Sequence, residues 1–409
     1  MTSTTAFEPT LLDPGQVELR RWRSTSRRVA LIWALLVLNV LTFYDEMPRL
    51  LPLPGIVGTM LTQGALVAAM ALALSVNRPV AVRANVYLLV LSALPLLALL
   101  TSLRAEFVFG ALFRTGRLAT FVAVLWLLSP WWGRRDLLLV RAHLTALWVV
   151  LGSVVLGAVL AGGMAFEQNR LAGVLWPIPW TQVAHYAAVA AGLSAVLWMT
   201  GVLRRAPALT AVVLATTIML LTQTRTALFA VIAGVVVAGV SLFTAHTRVR
   251  RAFAIAVVVA TLAASTVSSV ITAWLARGQS TNELGELTGR TKVWTAILDE
   301  PRTVVEALVG FGLSNKSFDG LPIDSNWLAT FRDLGLLGVG LSVALVLVIA
   351  IAATVRPQGP RRALALFLVT YCSVASFTET GLSDASAYLL ELSLAASLVM
   401  RPVSPWRRA

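Results

Sequence analysis

A single cysteine, Cys372, stands among 409 residues, inside an apolar run. No disulfide can therefore form within the chain, and no thiolate-based metal site can be built from it. Histidine is nearly as scarce, with three copies. There is no H-E-x-x-H and no His/Cys cluster, which argues against a zinc enzyme. The G-x-x-x-x-G-K-[ST] phosphate loop is also missing, so ATP-driven transport has no support. Charged residues make up only 13% of the chain. The N-terminal polar stretch is long, and no small-residue cleavage site follows the first apolar segment, so no cleavable signal peptide is expected.

Hydrophobicity takes up the space these absences leave. Apolar residues account for 58% of the chain, in runs of about 20, the length that crosses a bilayer as a helix. A helix satisfies its own backbone polar groups in lipid, so the expectation is an all-α, polytopic membrane protein. Spans are expected at Val29–Phe43 and near 53–76, 86–103, 107–128, 137–161, 180–201, 207–222, 226–244, 252–274, 327–354, 363–378 and 386–400. That makes about 12 transmembrane helices.

Charge placement orients them. The net charge of +14 does not indicate nucleic acid, because the arginines are scattered between apolar segments. Even-numbered connections hold the basic excess: Arg78 and Arg83; Arg134, Arg135 and Arg141; Arg204 and Arg205; Arg248, Arg250 and Arg251; Arg356, Arg361 and Arg362. Odd-numbered connections hold most of the acids, including Asp45, Glu46, Glu106, Glu167, Glu379 and Asp384. The positive-inside tendency then puts both termini in the cytoplasm. The expected organisation is a basic cytoplasmic tail (1–28), nine spans (29–275), a large extracytoplasmic loop (276–326), three spans (327–400) and a second cytoplasmic tail (401–409).

The polar passage Gly289–Gly340 interrupts this regime. It contains Gly289-Arg290, Trp294, Gly310-Phe311-Gly312, Asp324-Ser325-Asn326-Trp327-Leu328 and Asp333-Leu334-Gly335-Leu336-Leu337-Gly338. Val293, Trp294, Ile297 and Leu298 recur at helical spacing opposite Lys292, Asp299 and Glu300, and Pro301 ends the pattern. Such a helix can lie along an interface or act as a lid element.

Several residues could carry chemistry. Arg225 is the only charge in a very short turn between two apolar runs; it either snorkels or faces a polar cavity. Arg114 and Arg117 lie three apart on one face of the fourth span, where they line a cavity or pair with an acid such as Glu106. His185 is expected near the outer end of a span, as a sugar ligand, a second base, or a packed and hydrogen-bonded histidine. Glu379, near Asp384, has the same ambiguity.

The pattern resembles the bacterial O-antigen ligase and polysaccharide polymerase superfamily. The shared features are many spans, a basic residue after a mid-chain span (Arg225), and one large late outer loop. That loop has a G-R-x-x-x-W-like start, a G-x-G, and a short polar motif before a span with G-x-x-G. Ligases carry His-Asn where this chain has Ser325-Asn326 preceded by Asp324, a departure that leans toward polymerases.

The resemblance implies an inverting, metal-independent glycosyltransferase without cofactor. Its donor would be a polyprenyl-diphosphate-linked glycan and its acceptor a glycan or glycolipid, and it would work at the outer face of the cytoplasmic membrane. Arg170, in a stretch resembling the ligases' R-x-x-G motif, with Arg225 and Arg290 would then bind diphosphate, which guanidinium groups suit by their paired donors and permanent charge. Arg170 has an ion pair with Glu167 as its competing reading. Asp324 would take the acceptor proton, against the competing reading of a helix N-cap. Asn326 would orient a sugar hydroxyl or cap, and His185 would contact sugar. Two alternatives stay open: a transporter or flippase, and a GT-C transferase that takes a polyprenyl-monophosphate sugar with Asp45 as base.

Overall fold

The computed structural model describes residues 14–44, 49–51, 54–105, 107–134, 136–266, 274, 290–314 and 316–399. Asp45, Glu46, Glu106 and Arg135 lie outside the described residues, and so do most of 267–289.

The protein is mostly helical, at 74%. Its helices are α1 (Pro14–Asn39), α2 (Gly55–Val76), α3 (Val86–Ser102), α4 (Val108–Leu128), α5 (Leu138–Ala161), α6 (Trp180–Met199), α7 (Arg205–Leu221), α8 (Arg225–Leu242) and α9 (Thr247–Thr266). Two short helices follow, α10 (Arg290–Asp299) and α11 (Val304–Val309). The series closes with α12 (Asn326–Thr354), α13 (Pro360–Ala375) and α14 (Ala387–Val399). Every apolar run expected to be a span falls on one of these helices. Among the described residues, six are by length and composition long and apolar enough to cross a membrane: α2, α4, α5, α6, α8 and α12. The shorter α3, α7 and α14 are apolar as well.

Two hairpins of two-residue strands decorate the connections. β1 (Phe166–Glu167) pairs antiparallel with β2 (Arg170–Leu171), and β3 (Ser317–Phe318) with β4 (Leu321–Pro322).

The bundle is organised around α6, in which 83% of the apolar window is buried, against 22% in α5. α13 packs on α6, α8, α12 and α14. Its Phe367 ring fills the space above Gly192 of α6 and Gly234 of α8, where any Cβ would overlap the ring. Small residues of this kind let helices approach where lipid supplies no hydrophobic drive between them. The outward faces are apolar, with Phe109, Val159, Leu100 and Ile351 all exposed. Polar groups such as Asn39, His143, His185, Asp333 and Glu391 are buried. That distribution suits a lipid surround.

Helix α12 is broken at Gly335, whose backbone (φ 62°, ψ −164°) is non-helical. The break receives the Gly310-Phe311-Gly312 loop. The Phe311 N–H donates to the Arg332 carbonyl at 3.0 Å, and the Gly312 N–H to the Asp333 carbonyl at 2.8 Å. A Cβ on Gly310 would overlap the Asp333–Leu334 peptide, and one on Gly335 would overlap the backbone of Leu308 and Val309. The two glycine motifs of the polar passage are thus two halves of one backbone contact.

The expected amphipathic helix is α10. Val293 and Ile297 are buried with Ile323 and Ala329, while Leu298 points outward.

Candidate functional site

The connections that enter α6, α8 and α12, together with the turn between α13 and α14, all lie at one end of the bundle. The opposite end carries most of the arginines. There Arg134 pairs with Asp136 at 2.7 Å, Arg356 donates to the Val399 carbonyl, and Arg361 donates to the carbonyl of Gly133.

At the first end Arg290, the opening residue of α10, donates to Asp324 with Nε–Oδ2 3.1 Å. Both side chains are partly exposed, at 27% and 40%, so the pair is reachable from solvent. Asp324 does not cap α12: the N-cap is Ser325, and its side chain makes no capping bond. Glu379 lies in the turn between α13 and α14, within electrostatic reach of both members of the pair. Burial, and then the Asp324 charge, push its carboxyl up to about 7 against the pull of Arg290. Tyr44, just past α1, feels the same two carboxylates, and burial with their charges raises its phenol above the ordinary range.

The arginines of the neighbouring connections belong to the same region. Arg170 stands over the Trp180 ring at 5.2 Å and lies within electrostatic reach of Arg225. Two hydrogen bonds link these connections to the rest. The Gln223 side chain donates to the Asn169 carbonyl at 3.2 Å, and the Thr226 and Thr378 hydroxyls meet at 2.7 Å, beside Arg225 and Glu379. The Tyr44 N–H donates to Pro177 O at 2.9 Å, which brings the end of α1 against the same wall. Arg170, Arg225, Arg290, Asp324, Glu379 and Tyr44 thus converge from six separate stretches of chain.

Asn326 is buried. Its Oδ1 accepts from the N–H groups of Gly381 and Leu382 at 3.1 and 2.8 Å, and its own N–H donates to the Ser376 carbonyl. It braces the turn that carries Glu379. A second polar cluster sits below. Arg114 donates to the Ser314 carbonyl, Ser314 donates to Asp333 at 2.7 Å, and Lys316 pairs with Asp384 at 3.5 Å. Burial opposes ionisation of Asp384, but Lys316, Arg117 and the Ala385 N–H together hold its carboxyl below the usual range. Arg117 donates to the Asn39 carbonyl at 2.9 Å.

His185 stands apart. It is buried on α6 against Tyr186, Tyr371 and Tyr388, with Nδ1 at 2.9 Å from the Tyr371 hydroxyl and Nε2 at 2.8 Å from Glu391. Of the sequence-derived candidates, Arg170, Arg225, Arg290 and Asp324 are brought together. Asn326 supports them from behind, and His185 belongs to a different, internal cluster. Tyr44 carried no sequence signal, because one tyrosine after an apolar run looks like any interfacial aromatic.

Among the described residues no group of three or more His, Cys, Asp or Glu side chains is arranged to hold a metal ion. No protein-family model matches the chain, and no curated protein matches it in sequence. The class defined by the fold is a mostly helical bundle in which six helices, among the described residues, are long and apolar enough to cross a membrane.

Proposed function

We propose that this protein is a membrane glycosyltransferase that polymerises or ligates polyprenyl-diphosphate-linked glycans. In this reading it has about 12 spans with both termini cytoplasmic, and works at the outer face of the cytoplasmic membrane. One observation carries the proposal: three arginines and two carboxylates converge at one end of an apolar helical bundle.

The chemistry assigned to them balances simply. The acceptor hydroxyl attacks the anomeric carbon, and its proton passes to a carboxylate. The bond from that carbon to the diphosphate oxygen breaks, and its electron pair leaves with the diphosphate. Arg170, Arg225 and Arg290 receive the negative charge through paired N–H donors that keep their protons at any working pH. Asp324 and Glu379 share the base role. Asp324 holds Arg290 in place and raises its neighbour. Glu379, at about 7, is matched to proton abstraction near neutral pH. Asn326 fixes the turn on which Glu379 stands.

A transport reading draws on a different observation, the buried ionisable cluster around Glu391, since charged groups inside a membrane often mark transport paths. The GT-C reading centred on Asp45 falls outside the described residues.

One experiment separates these readings. Purified protein in detergent with EDTA is given a polyprenyl-diphosphate oligosaccharide alone. A ladder of longer lipid-linked glycans is the expected result for a polymerase, and transfer only after a candidate acceptor is added is that for a ligase. Arg225→Ala and Asp324→Ala should each abolish either product in protein that is still folded. Normal transfer in both variants, or substrate movement in proteoliposomes without any transfer, overturns the assignment.

A further inference from the structure

The proposed transferase leaves one group of titratable side chains unused. Glu391 of α14 has no exposed surface. His185 of α6 approaches its Oε1 at 2.8 Å and His143 of α5 at 3.8 Å. Cys372 of α13 reaches Oε2 at 3.7 Å. Tyr186, Tyr371 and Tyr388 complete the ionisable groups that face the carboxylate, and Glu379 acts on Tyr371 and Tyr388 from the turn above.

The hydrogen-bond partners fix where the protons sit. Trp33 Nε1 is within 3.3 Å of His143 Nδ1. An indole N–H only donates, so Nδ1 of His143 is the acceptor, and in the neutral ring its proton is on Nε2, facing Glu391. When the Tyr371 hydroxyl donates to His185 Nδ1, the proton of His185 likewise sits on Nε2. Two imidazole N–H groups then flank one carboxylate oxygen, Oε1, at 2.8 and 3.8 Å. With both rings neutral and Glu391 ionised, the cluster carries one net negative charge in the interior of an apolar bundle, a costly arrangement of the kind that marks functional sites in membranes.

We propose that His143, His185 and Glu391 form an intramembrane proton-binding site, in which one added proton is shared among the three side chains and neutralises the cluster. The assignment does not rest on the transferase reading. The alternative occupant of such donors, a transition metal, needs a lone pair on His143 Nε2, and the Trp33 donor to Nδ1 disfavours that tautomer. Cys372 and Tyr371 border the site, and α1, α5, α6, α13 and α14 all contribute a wall. The proton state therefore bears on the packing at the centre of the bundle.

The test uses the scarcity of histidine: the chain has only His143, His185 and His246. Full-length protein labelled with 15N-histidine in detergent micelles gives three imidazole spin systems, assigned by single His→Gln variants. They are followed from about pH 5 to about pH 8, the range in which an unperturbed imidazole changes charge. The expected result is one joint transition of His143 and His185, starting from Nε2–H tautomers, with His246 titrating separately. In Glu391→Gln, with unchanged helical content, that joint transition disappears. Imidazoles that hold one protonation state throughout, or that titrate independently of each other and of Glu391, overturn the proposal and leave a purely structural contact. Zinc added alone, if it shifts both rings reversibly with EDTA, also overturns it in favour of a metal site. The wild-type titration decides the matter even if Glu391→Gln fails to fold.

Discussion

Glu379 and Glu391 flank the start of one short helix, yet they are set up for different work. Glu379 sits among Asp324, Arg290 and Tyr44, beside an ion pair that is partly exposed. Glu391 is enclosed with two histidines. For Glu379 the sign of the pH effect follows from its value of about 7, above the ordinary 4.5. As pH rises between these values an unfolded chain releases this proton while the folded chain keeps it, so stability falls across that window. Melting in detergent should therefore show Glu379→Gln matching wild type below about pH 4.5 and gaining on it up to about pH 7, then staying ahead. A constant offset at every pH would contradict the assigned environment. On activity, wild-type transfer should rise with pH through about 7, and Glu379→Gln should lose roughly 100-fold together with that rise. Asn326→Ala strips the acceptor from two buried N–H groups. A cost of about 2 kcal/mol or more in thermal stability is expected, with transfer falling as the turn loosens.

At the scale of elements, the most informative feature is the broken helix α12. Gly335 has a positive φ, and its missing Cβ lets the backbone of Leu308 and Val309 pass. Gly335→Ala meets both penalties, left-handed strain and backbone overlap, and should cost at least about 2–3 kcal/mol. Gly340→Ala, on the same helix with open space around it, should be neutral or stabilising by about 0.5–1 kcal/mol, since only backbone entropy changes. Paired melting curves for the two variants check this. Equal effects would mean that the Gly310–Gly312 loop does not depend on the break. Helix α11 has its own support, a capping box between Thr303 and Glu306. The T-x-x-E spacing of that box is readable in sequence. The partner of G-x-G is not, because nothing local says which distant backbone it will meet.

At the scale of the whole molecule, the apolar runs at 53–76, 137–161 and 327–354 reappear as α2, α5 and α12 almost end for end. Among the described residues, six helices meet the length and composition needed to cross a membrane; the twelve-span arrangement with its sidedness is the proposal. Cys372 is buried, so Cys372→Ser gives a background for site-directed labelling. In intact cells an impermeant maleimide should label Asp319→Cys, in the β3–β4 turn, and should label Gln358→Cys, between α12 and α13, only after lysis. Labelling of both without lysis, or the reverse pattern, would overturn the proposed orientation.

The sequence by itself determined where the apolar helices lie and which end of the bundle is rich in arginine, but not that α1 begins at Pro14, within the stretch read as a tail. Hydropathy and charge spacing are local properties, and a run of about 20 apolar residues has few other stable outcomes in lipid. It also marked Arg225, a lone charge between two apolar runs, while Arg170, Arg290 and Asp324 were marked by the motifs that carry the family resemblance. Only the tertiary structure decided what those charges meet. The 3.1 Å approach of Arg290 to Asp324, the placing of Glu379 beside them, and the withdrawal of His185 to Glu391 each join residues from segments distant in the chain. Such contacts depend on which faces of the helices turn inward and on glycines such as Gly192, Gly234 and Gly335 that set how closely backbones approach. No periodicity within one segment encodes the partner that packing selects from another.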